Sequence, residues 1–275
     1  MRPGPSSTTR TGRQMATDIF VPLITPIDYR GMVCGPSVQR LLSSLRHSAN
    51  GFIPCLTSGE GWRLSATQWE DMLRFTLEHA GASAVIAGIE QPSTAEVHAY
   101  AESAKRLGAH GVMLTSPFGE SVTQAGILDH YRRVHDAVDL SIYVYNESSL
   151  SGNETLFDTL LAIAALPRVV GIKDSADVAR SSDQIKALQA QGLKYYVGWE
   201  HQLGEDLPVD GCVVSLANIE PALCRVALAC ECAAVRSEVT RLTEAYALQS
   251  DDWYVHIKKE LFSRGAISTA RAATS

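Results

Sequence analysis

Short apolar runs rich in β-branched residues recur eight times along this chain, separated by stretches with helical periodicity. A run of this kind, apolar on both faces, is typical of a strand buried in a parallel sheet. Alternation of such strands with helices is the pattern of repeated βα units. We predict strands at residues 19–24, 51–56, 84–89, 111–115, 140–145, 169–173, 195–199 and 212–216.

The stretches between these runs carry apolar residues at helical spacing, except for the last connection at 201–210, which is short and contains Gly204 and Pro208. Eight βα units predict an α/β protein whose parallel strands close into a (β/α)8 TIM barrel. Extra helices follow at the C-terminus. We predict helices at residues 38–47, 67–79, 94–107, 124–137, 156–165, 182–191, 221–248 and 252–263.

The same patterns predict one structural domain, because no interdomain linker interrupts the chain. We expect the barrel over 17–220 and C-terminal helices that complete the same domain over 221–266. Residues 1–16 are polar and rich in Pro, Ser and Thr, so we expect a disordered tail there. A flexible tail is expected over 267–275.

Composition narrows the possible partners. The net charge of −6 comes without a basic stripe, which argues against nucleic acid. No apolar run approaches the roughly 18 residues of a membrane span, so we expect no membrane partner. The six cysteines form no paired CxxC motif, so we expect neither a metal site nor a disulfide framework. Free thiols and the absence of a secretory signal favour the cytoplasm.

One lysine, Lys173, stands inside the sixth apolar run. Burying an ammonium is costly unless the group is paired or deprotonated, and desolvation lowers its pKa from about 10.4 to roughly 7–8. Such an amine can attack a carbonyl. Alternatively, Lys173 reaches solvent from the strand end or pairs with a carboxylate. The other lysines have polar neighbours or lie where an element meets solvent: Lys105, Lys186, Lys194, Lys258 and Lys259.

Polar residues close three other predicted strands at the C-terminal face, where such barrels carry their active sites. Thr57 and Ser58 follow strand two and suit a carboxylate, although an ordinary turn has the same composition. Ser215 ends strand eight. Tyr145 ends strand five; a strand tyrosine is most often a core residue, but adjacent strands would place its phenol beside the Lys173 amine. A nucleophilic amine and a proton carrier are what an imine-forming enzyme needs.

Several short motifs follow one another in a fixed order. They are Pro22-Leu23-Ile24-Thr25-Pro26, Thr57-Ser58-Gly59-Glu60, Leu64-Ser65, Ala87-Gly88, Ser116-Pro117, Tyr145-Asn146, Gly171-Ile172-Lys173-Asp174, Gly198 and Ser215-Leu216-Ala217-Asn218.

This ordered set resembles the dihydrodipicolinate synthase and N-acetylneuraminate lyase family of class I pyruvate aldolases, from about residue 19 to residue 265. The resemblance implies that Lys173 forms a Schiff base with pyruvate and that Tyr145 carries protons. It implies that Thr57 and Ser58 hold the pyruvate carboxylate. It further implies a covalent imine in place of a cofactor, and a homodimer or homotetramer.

The chain departs from the synthase pattern at two loops. Leu150 stands where the synthase branch has an arginine for the second substrate's carboxylate. Phe118 and Gly119 stand where the synthase has aromatic hydroxyls, one of which reaches across a subunit interface. The Leu-Ser-Gly sequence at 150–152 is similar to the lyase branch instead. The resemblance is therefore closer to the lyase branch at this loop, and dihydrodipicolinate synthesis is disfavoured.

Acidic and hydroxyl residues, rather than arginines, populate the predicted loops at the barrel mouth. Loop carboxylates are most often only solvated. As a group, however, they would favour hydroxyls or a cation such as an amine or guanidinium, and would repel a second carboxylate. We predict that the distal part of the substrate is polar or cationic. The residues concerned are Glu120, Glu147, Ser175, Asp177, Glu200 and His201.

Three functions are compatible with these observations. The first is a lyase that cleaves a 4-hydroxy-2-oxo acid into pyruvate and an aldehyde, with Lys173 as nucleophile and Tyr145 as proton carrier. The second is an aldolase–dehydratase, or a dehydratase/decarboxylase of 2-oxo acids, that uses the same imine. The third is a barrel retained as a non-catalytic protein, which the joint presence of Lys173, Tyr145, Thr57 and Ser58 disfavours.

Overall fold

A computed structural model describes residues 17–176 and 178–274, so the predicted tail over 1–16 and the loop acid Asp177 lie outside it. Parallel strands close into a barrel in chain order. The strands are β1 (Asp18–Pro22), β2 (Gly51–Ile53), β3 (Ala84–Ile89), β4 (Gly111–Thr115), β5 (Ser141–Asn146), β6 (Val169–Asp174), β7 (Lys194–Val197) and β8 (Gly211–Cys212).

Helices surround this barrel. Four of them begin directly after a serine or threonine whose hydroxyl accepts a hydrogen bond from the first turn: Ser65, Ser93, Thr123 and Ser181. The helices are α1 (Gly35–Leu45), α2 (Ala66–His79), α3 (Thr94–Leu107), α4 (Gln124–Ala137), α5 (Ser148–Ser151), α6 (Phe157–Ala164), α7 (Ser182–Ala190), α8 (Pro221–Ala229), α9 (Ala233–Ala245) and α10 (Trp253–Ser263).

Strand β1 pairs in parallel with both β2 and β8, which closes the sheet and confirms the predicted (β/α)8 barrel. Side chains that point inward fill the barrel below its mouth: Phe20, Ile53, Met113, Tyr196 and Val213. A second and larger core lies between the strands and the helices. The barrel interior is therefore packed, and the C-terminal end is where barrels of this kind bind their ligands.

Several strands end earlier than predicted, and the largest differences are at β2 and β8, on the mouth of the barrel. Strand β2 stops at Ile53, and residues Thr57–Gly59 form a 310 turn. Strand β8 stops at Cys212, and Ser215–Asn218 form another. Asn218 accepts a hydrogen bond from the Ile24 N–H, which ties the second turn to the segment after β1. At both positions the chain leaves the sheet and presents backbone and hydroxyl groups to the mouth.

The C-terminal region differs from its prediction in two ways. The segment 221–248 contains two helices, α8 and α9, because Cys230 adopts an extended conformation between them. Residues beyond α10 pack against the barrel: Ile267 and Ala273 are buried, and Thr269 donates a hydrogen bond to the Ile27 carbonyl. This packing corrects the expectation of a flexible tail over 267–275 for the part described. None of the helices described combines the length and apolar character that a membrane crossing requires.

Lys258 also departs from its prediction. It was expected near solvent, but its side chain is 0% exposed and forms an ion pair with the equally buried Glu60. The Lys258 ammonium also donates a hydrogen bond to the Arg271 carbonyl. The prediction relied on the polar neighbours of Lys258 in sequence, whereas its partner, Glu60, lies 198 residues earlier in the chain.

Candidate active site

Strands β5 and β6 bring the predicted nucleophile and proton carrier together. Tyr145 and Lys173 are direct partners in the parallel pairing of these strands. The Lys173 Nζ lies 3.8 Å from the centroid of the Tyr145 ring, and both side chains are buried. Gly171, two residues before the lysine, leaves room for the rings of Tyr143 and Tyr196 beneath the site. The geometry places the phenol within reach of any group bound to the amine.

The pKa of Lys173 is lowered from its ordinary value to about 8. Burial is the main cause, because an ammonium loses its hydration there. The carboxylates of Glu147, Glu90 and Glu200 oppose this effect. About a tenth of the amine is therefore neutral at pH 7, far more than for an ordinary lysine, and the neutral form is the one that attacks a carbonyl.

The Tyr145 hydroxyl contacts Thr57, and the Thr57 hydroxyl contacts a buried acid. The Tyr145 hydroxyl lies 3.1 Å from Thr57 Oγ1, which donates a 2.5 Å hydrogen bond to Glu90 Oε1. Burial, together with Glu147 and Glu90, raises the pKa of Tyr145 well above its ordinary value. The phenol is therefore protonated near neutral pH.

Glu90 was missed by the sequence predictions. It follows the last residue of β3 directly and is only 3% exposed. Burial raises the pKa of its carboxyl to about 7, although the hydrogen bond from Thr57 and the charge of Lys173 oppose the rise. A signal was available: an acid at the C-terminal end of a barrel strand follows the rule that identified Thr57 and Tyr145.

The turn after β2 carries the predicted carboxylate ligands. The Ser58 hydroxyl lies 2.9 Å from the Ser215 hydroxyl, so the two predicted serines form one polar corner. A Cβ on Gly59 would lie 2.6 Å from the Leu23 carbonyl oxygen, so only glycine allows this close packing. The Gly59 N–H donates to the Leu56 carbonyl and the Thr57 backbone bonds to Glu90, so the Ser58 N–H is the candidate donor to an anion at the start of this turn. The Thr57 hydroxyl is directed to Glu90 rather than into this corner.

Glu60 fixes this turn to the C-terminal region. It adopts a left-handed backbone conformation with φ 58°. Its carboxylate pairs with Lys258 and accepts a 2.8 Å hydrogen bond from the Ala273 N–H. Helix α10 and the segment after it therefore position the turn that holds Thr57 and Ser58.

A cavity of about 550 Å³ opens above Lys173 at the mouth of the barrel. Three tryptophans from distant parts of the chain form part of its wall, which the sequence did not predict: Trp62, Trp199 and Trp253. The predicted residues in its lining are Thr57, Ser58, Tyr145, Glu147, Lys173, Ser175, Glu200 and Ser215.

The predicted loop acids that the structure describes do not all line the cavity. Glu147 and Glu200 are buried in the cavity wall. The Glu147 carboxylate accepts a hydrogen bond from Ser149, and that of Glu200 accepts one from the Leu216 N–H. Glu120 is exposed and is not part of the lining.

The loop that carries Glu120 is held away from the cavity. The Asn153 side chain donates hydrogen bonds to the carbonyls of Pro117 and Gly119, which fixes this loop against the turn at α5. The prediction that Glu120 belongs to the substrate-binding set is corrected accordingly, because its carboxylate is solvated outside the cavity.

Ser175 lies where β6 meets the cavity, and its buried hydroxyl has no partner among the residues described. A Cβ on Gly198 would lie 2.1 Å from the Ser175 Oγ, so this glycine leaves space for the serine. Asp174 faces the helices, as strand alternation requires. It is buried against Arg180 and accepts hydrogen bonds from Tyr195 and Asn146.

A buried strand lysine under an open barrel mouth, with a phenol against it, defines a class of protein: a (β/α)8-barrel enzyme built to form an imine with a carbonyl substrate. Residues 15–272 match the model of the dihydrodipicolinate synthetase family. The chain belongs to this family, and it is a pyruvate-dependent carbon–carbon lyase.

Curated relatives agree with this assignment. The chain is 32% identical to the 4-hydroxy-tetrahydrodipicolinate synthase of Caldicellulosiruptor bescii over 205 residues, which cover 73% of this chain and 69% of that protein. It is 34% identical to an uncharacterised DapA-like lyase of Halobacterium salinarum over 178 residues, which cover 63% of this chain and 58% of the relative.

Solved structures show the same architecture. The chloride-inhibited dihydrodipicolinate synthase of Acinetobacter baumannii, complexed with pyruvate, matches with a TM-score of 0.84 at 27% identity. The match covers 94% of this chain and 91% of that one. YagE, a prophage protein of Escherichia coli K12, has the same fold, with a TM-score of 0.83 at 20% identity. That match covers 94% of this chain and 91% of YagE.

The family predicted from the motifs is thereby confirmed, whereas the closer likeness to the lyase branch stays a prediction. Within the described part of the chain, no group of three or more His, Cys, Asp or Glu side chains is arranged to hold a metal ion.

Proposed function

We propose that the protein cleaves a 4-hydroxy-2-oxo acid into pyruvate and an aldehyde through an imine on Lys173, or runs the reverse reaction. The observation that carries this proposal is the contact of the Lys173 Nζ with the Tyr145 ring, 3.8 Å from its centroid, at the floor of the cavity. The lowered pKa of Lys173 supports attack on the 2-oxo carbon near neutral pH. No cofactor is needed in this chemistry.

The reaction proceeds through a series of intermediates bound covalently to Lys173. The neutral Lys173 amine adds to C2, and proton transfer by way of Tyr145 lets the former carbonyl oxygen leave as water. The resulting iminium accepts the electron pair of the C3–C4 bond as the 4-hydroxyl loses its proton, which releases the aldehyde. The enamine then takes a proton at C3, and hydrolysis returns pyruvate and the free lysine.

The substrate carboxylate would lie at the corner formed by Ser58 and Ser215. Their hydroxyls are 2.9 Å apart, and Ser58 lies in the short helical turn Thr57–Gly59. Ser175, whose hydroxyl is buried and lines the same cavity, would bind a polar group farther along the substrate.

The distal part of the substrate is polar or cationic in this proposal, rather than a carboxylate. Glu147 and Glu200 lie in the cavity wall, and so does the apolar side chain of Leu150, which stands where the synthase branch has an arginine. A distal carboxylate would meet like charges without a bidentate partner, and each effect costs on the order of 1–3 kcal/mol. The tryptophans of the wall would also favour a cation.

The experiment is a comparison of kcat/KM for 4-hydroxy-2-oxo acids that end in hydroxymethyl, amine, guanidinium or carboxylate groups, with pyruvate release coupled to lactate dehydrogenase. We expect the carboxylate to be disfavoured about a hundredfold or more, since about 1.4 kcal/mol is a factor of ten. If a cationic substrate is preferred, Glu147→Gln or Glu200→Gln should remove most of its advantage. Preference for the carboxylate would contradict the assignment of the distal group.

Product analysis in the same experiment distinguishes cleavage from dehydration. An aldolase–dehydratase would use the same lysine imine but would release an unsaturated or decarboxylated product instead of pyruvate and aldehyde. Cleavage is the expected outcome. We also infer a homodimer or homotetramer in the cytoplasm, on the basis of the family to which the chain belongs.

A further inference from the structure

Three residues at the C-terminal ends of different strands form a continuous line of hydrogen-bonding groups from the substrate site into the barrel wall. The Tyr145 hydroxyl is 3.1 Å from Thr57 Oγ1, and Thr57 Oγ1 is 2.5 Å from Glu90 Oε1. Tyr145 ends β5, Thr57 follows β2, and Glu90 follows β3. All three belong to one subunit, so no partner subunit is needed to complete the line.

The hydrogen bonds in this line have a defined direction. The Thr57 hydroxyl has one proton and donates it to Glu90, so it can only accept a second hydrogen bond, from a donor on its other side. The Tyr145 hydroxyl must therefore donate to Thr57. Each proton in the line points towards the Glu90 carboxylate, which is the arrangement required for protons to move in that direction.

The hydroxyls alone cannot serve as the base in the proposed reaction. Burial and nearby acids raise the pKa of the Tyr145 phenol well above its ordinary value, and an isolated threonine hydroxyl is less acidic still. Tyr145 can accept a proton from the substrate only if its own proton moves on at the same time. A carboxylate at the far end provides the place for that proton.

Resting on the proposed imine chemistry, we propose that Glu90 is the proton acceptor and donor at the end of a relay that runs from the substrate through Tyr145 and Thr57 within one subunit. As the substrate loses a proton to the Tyr145 oxygen, the phenol proton passes to Thr57 and the Thr57 proton passes to Glu90. The transfer leaves two neutral hydroxyls and a Glu90 carboxylic acid. The reverse transfer returns the proton to the enamine carbon.

The electrostatic surroundings of Glu90 suit this exchange. Its pKa of about 7 lies near neutral pH, where a group that gives and takes protons is most effective. Its Oε2 is buried with no hydrogen-bond partner among the residues described, so this oxygen is free to take up the proton. The titratable groups that act on it or face it are Lys173, Glu147, Tyr145 and Cys55.

The relay can be tested with pyruvate alone, before the aldehyde is known. The imine of pyruvate forms an enamine by losing a methyl proton, so the enzyme should exchange the methyl protons of pyruvate for deuterium in D2O. Nuclear magnetic resonance measures the loss of the methyl signal. Saturating pyruvate is used so that ionisation of the free Lys173 amine does not limit the rate.

We expect the exchange rate of the unmodified protein to rise with pH through about 7, because Glu90 must be ionised to accept the proton. Glu90→Gln keeps the shape of the side chain and removes the carboxylate. It should lower the rate by about a hundredfold or more and abolish this rise, since general acid–base catalysis contributes roughly 100- to 10,000-fold. Borohydride trapping of the pyruvate imine should persist in the variant.

Three further variants separate a relay from a structural role. Thr57→Val should flatten the pH profile as Glu90→Gln does, and combining the two changes should lower the rate little further. Thr57→Ser keeps the hydroxyl and should retain the rise with pH. Glu147→Gln removes a carboxylate that acts on both Lys173 and Glu90 but lies outside the relay. It should retain the rise, shifted to lower pH because Glu90 loses a neighbouring negative charge.

The possible outcomes are distinguishable. An unchanged pH profile and an exchange rate within about threefold in Glu90→Gln, well below the general acid–base contribution, would overturn the relay while leaving the imine intact. If Glu90→Gln does not fold, an unchanged profile in Thr57→Val would overturn it equally. Absence of imine trapping in the unmodified protein would overturn the proposed function and the relay together.

Discussion

At the scale of single residues, the proposed function depends on two groups whose pKa values move in opposite directions for the same reason. Burial disfavours the charged form of each, so the pKa of Lys173 falls to about 8 and that of Tyr145 rises. The result is a partly neutral amine beside a protonated phenol. These are the states needed at the start of carbonyl attack.

The first prediction concerns the phenol. Tyr145→Phe keeps the ring that contacts Lys173 and removes only the hydroxyl, so packing should be retained. Because proton transfer by a positioned group contributes roughly 100- to 10,000-fold, we expect a loss in that range, mostly in kcat. Steady-state kinetics measure it, and a loss under about tenfold would mean that another group carries the proton.

The second prediction concerns pH. The neutral form of Lys173 attacks the carbonyl, so the rate of imine formation at low pyruvate should rise with pH and level off above about 8, where the amine is mostly deprotonated. Rapid quenching with borohydride at a series of pH values measures the rate. A rate that goes on rising past pH 8 and levels off only in the ordinary lysine range, above about pH 10, would contradict the assigned desolvation.

At the scale of elements, the site depends on contacts between parts of the chain that are distant in sequence. The turn after β2 is bound by Glu60 to Lys258 on α10 and to the Ala273 N–H beyond it. Trp253, on the same helix, lines the cavity. The C-terminal helices therefore contribute to the site as well as to the shape of the domain.

The third prediction tests this contact. Lys258→Met removes one partner of a fully buried pair and leaves Glu60 uncompensated, which typically costs about 3–5 kcal/mol of stability. We also expect a higher KM for pyruvate, because the turn loses its anchor. Chemical denaturation and steady-state kinetics measure the two effects.

A double variant provides the control for this prediction. Combining Lys258→Met with Glu60→Gln leaves no buried charge, so it should recover part of the lost stability. Equal stability of Lys258→Met and the unmodified protein would show that the pair does not hold the turn.

At the scale of the whole molecule, periodicity predicted the barrel because each βα unit carries its own local signal. β3, β4, α3 and α4 have the predicted bounds. The early ends of β2 and β8 could not be predicted, since they depend on turns that pack against other strands.

The candidate site was predictable in part for the same reason. Lys173 and Tyr145 are neighbours because adjacent strands pair, and alternation decides which way they face. The Lys258–Glu60 pair and the tryptophans of the cavity wall depend on how distant segments meet, which sequence patterns do not encode. Glu120 was predicted to line the cavity because it lies in a loop at the mouth, but the position of a residue in a loop does not determine where its side chain points.

The fourth prediction concerns assembly. The family to which the chain belongs leads us to expect a homodimer or homotetramer in solution. A relative of the same fold, at 25% identity and a TM-score of 0.81, is described as the first monomeric dihydrodipicolinate synthase variant, so assembly has to be measured for each member. Light scattering at micromolar concentration measures the mass, and a monomer would contradict the expectation.

The central claim is that Lys173 forms an imine with pyruvate, and borohydride trapping tests it most directly. Intact mass after incubation with pyruvate and borohydride should show one reduced pyruvate adduct per chain, and peptide mapping should place the adduct on Lys173. Lys173→Ala, which alters a residue at the open mouth of the barrel, should fold and show no adduct. An adduct on another lysine, or one that persists in Lys173→Ala, would contradict the account.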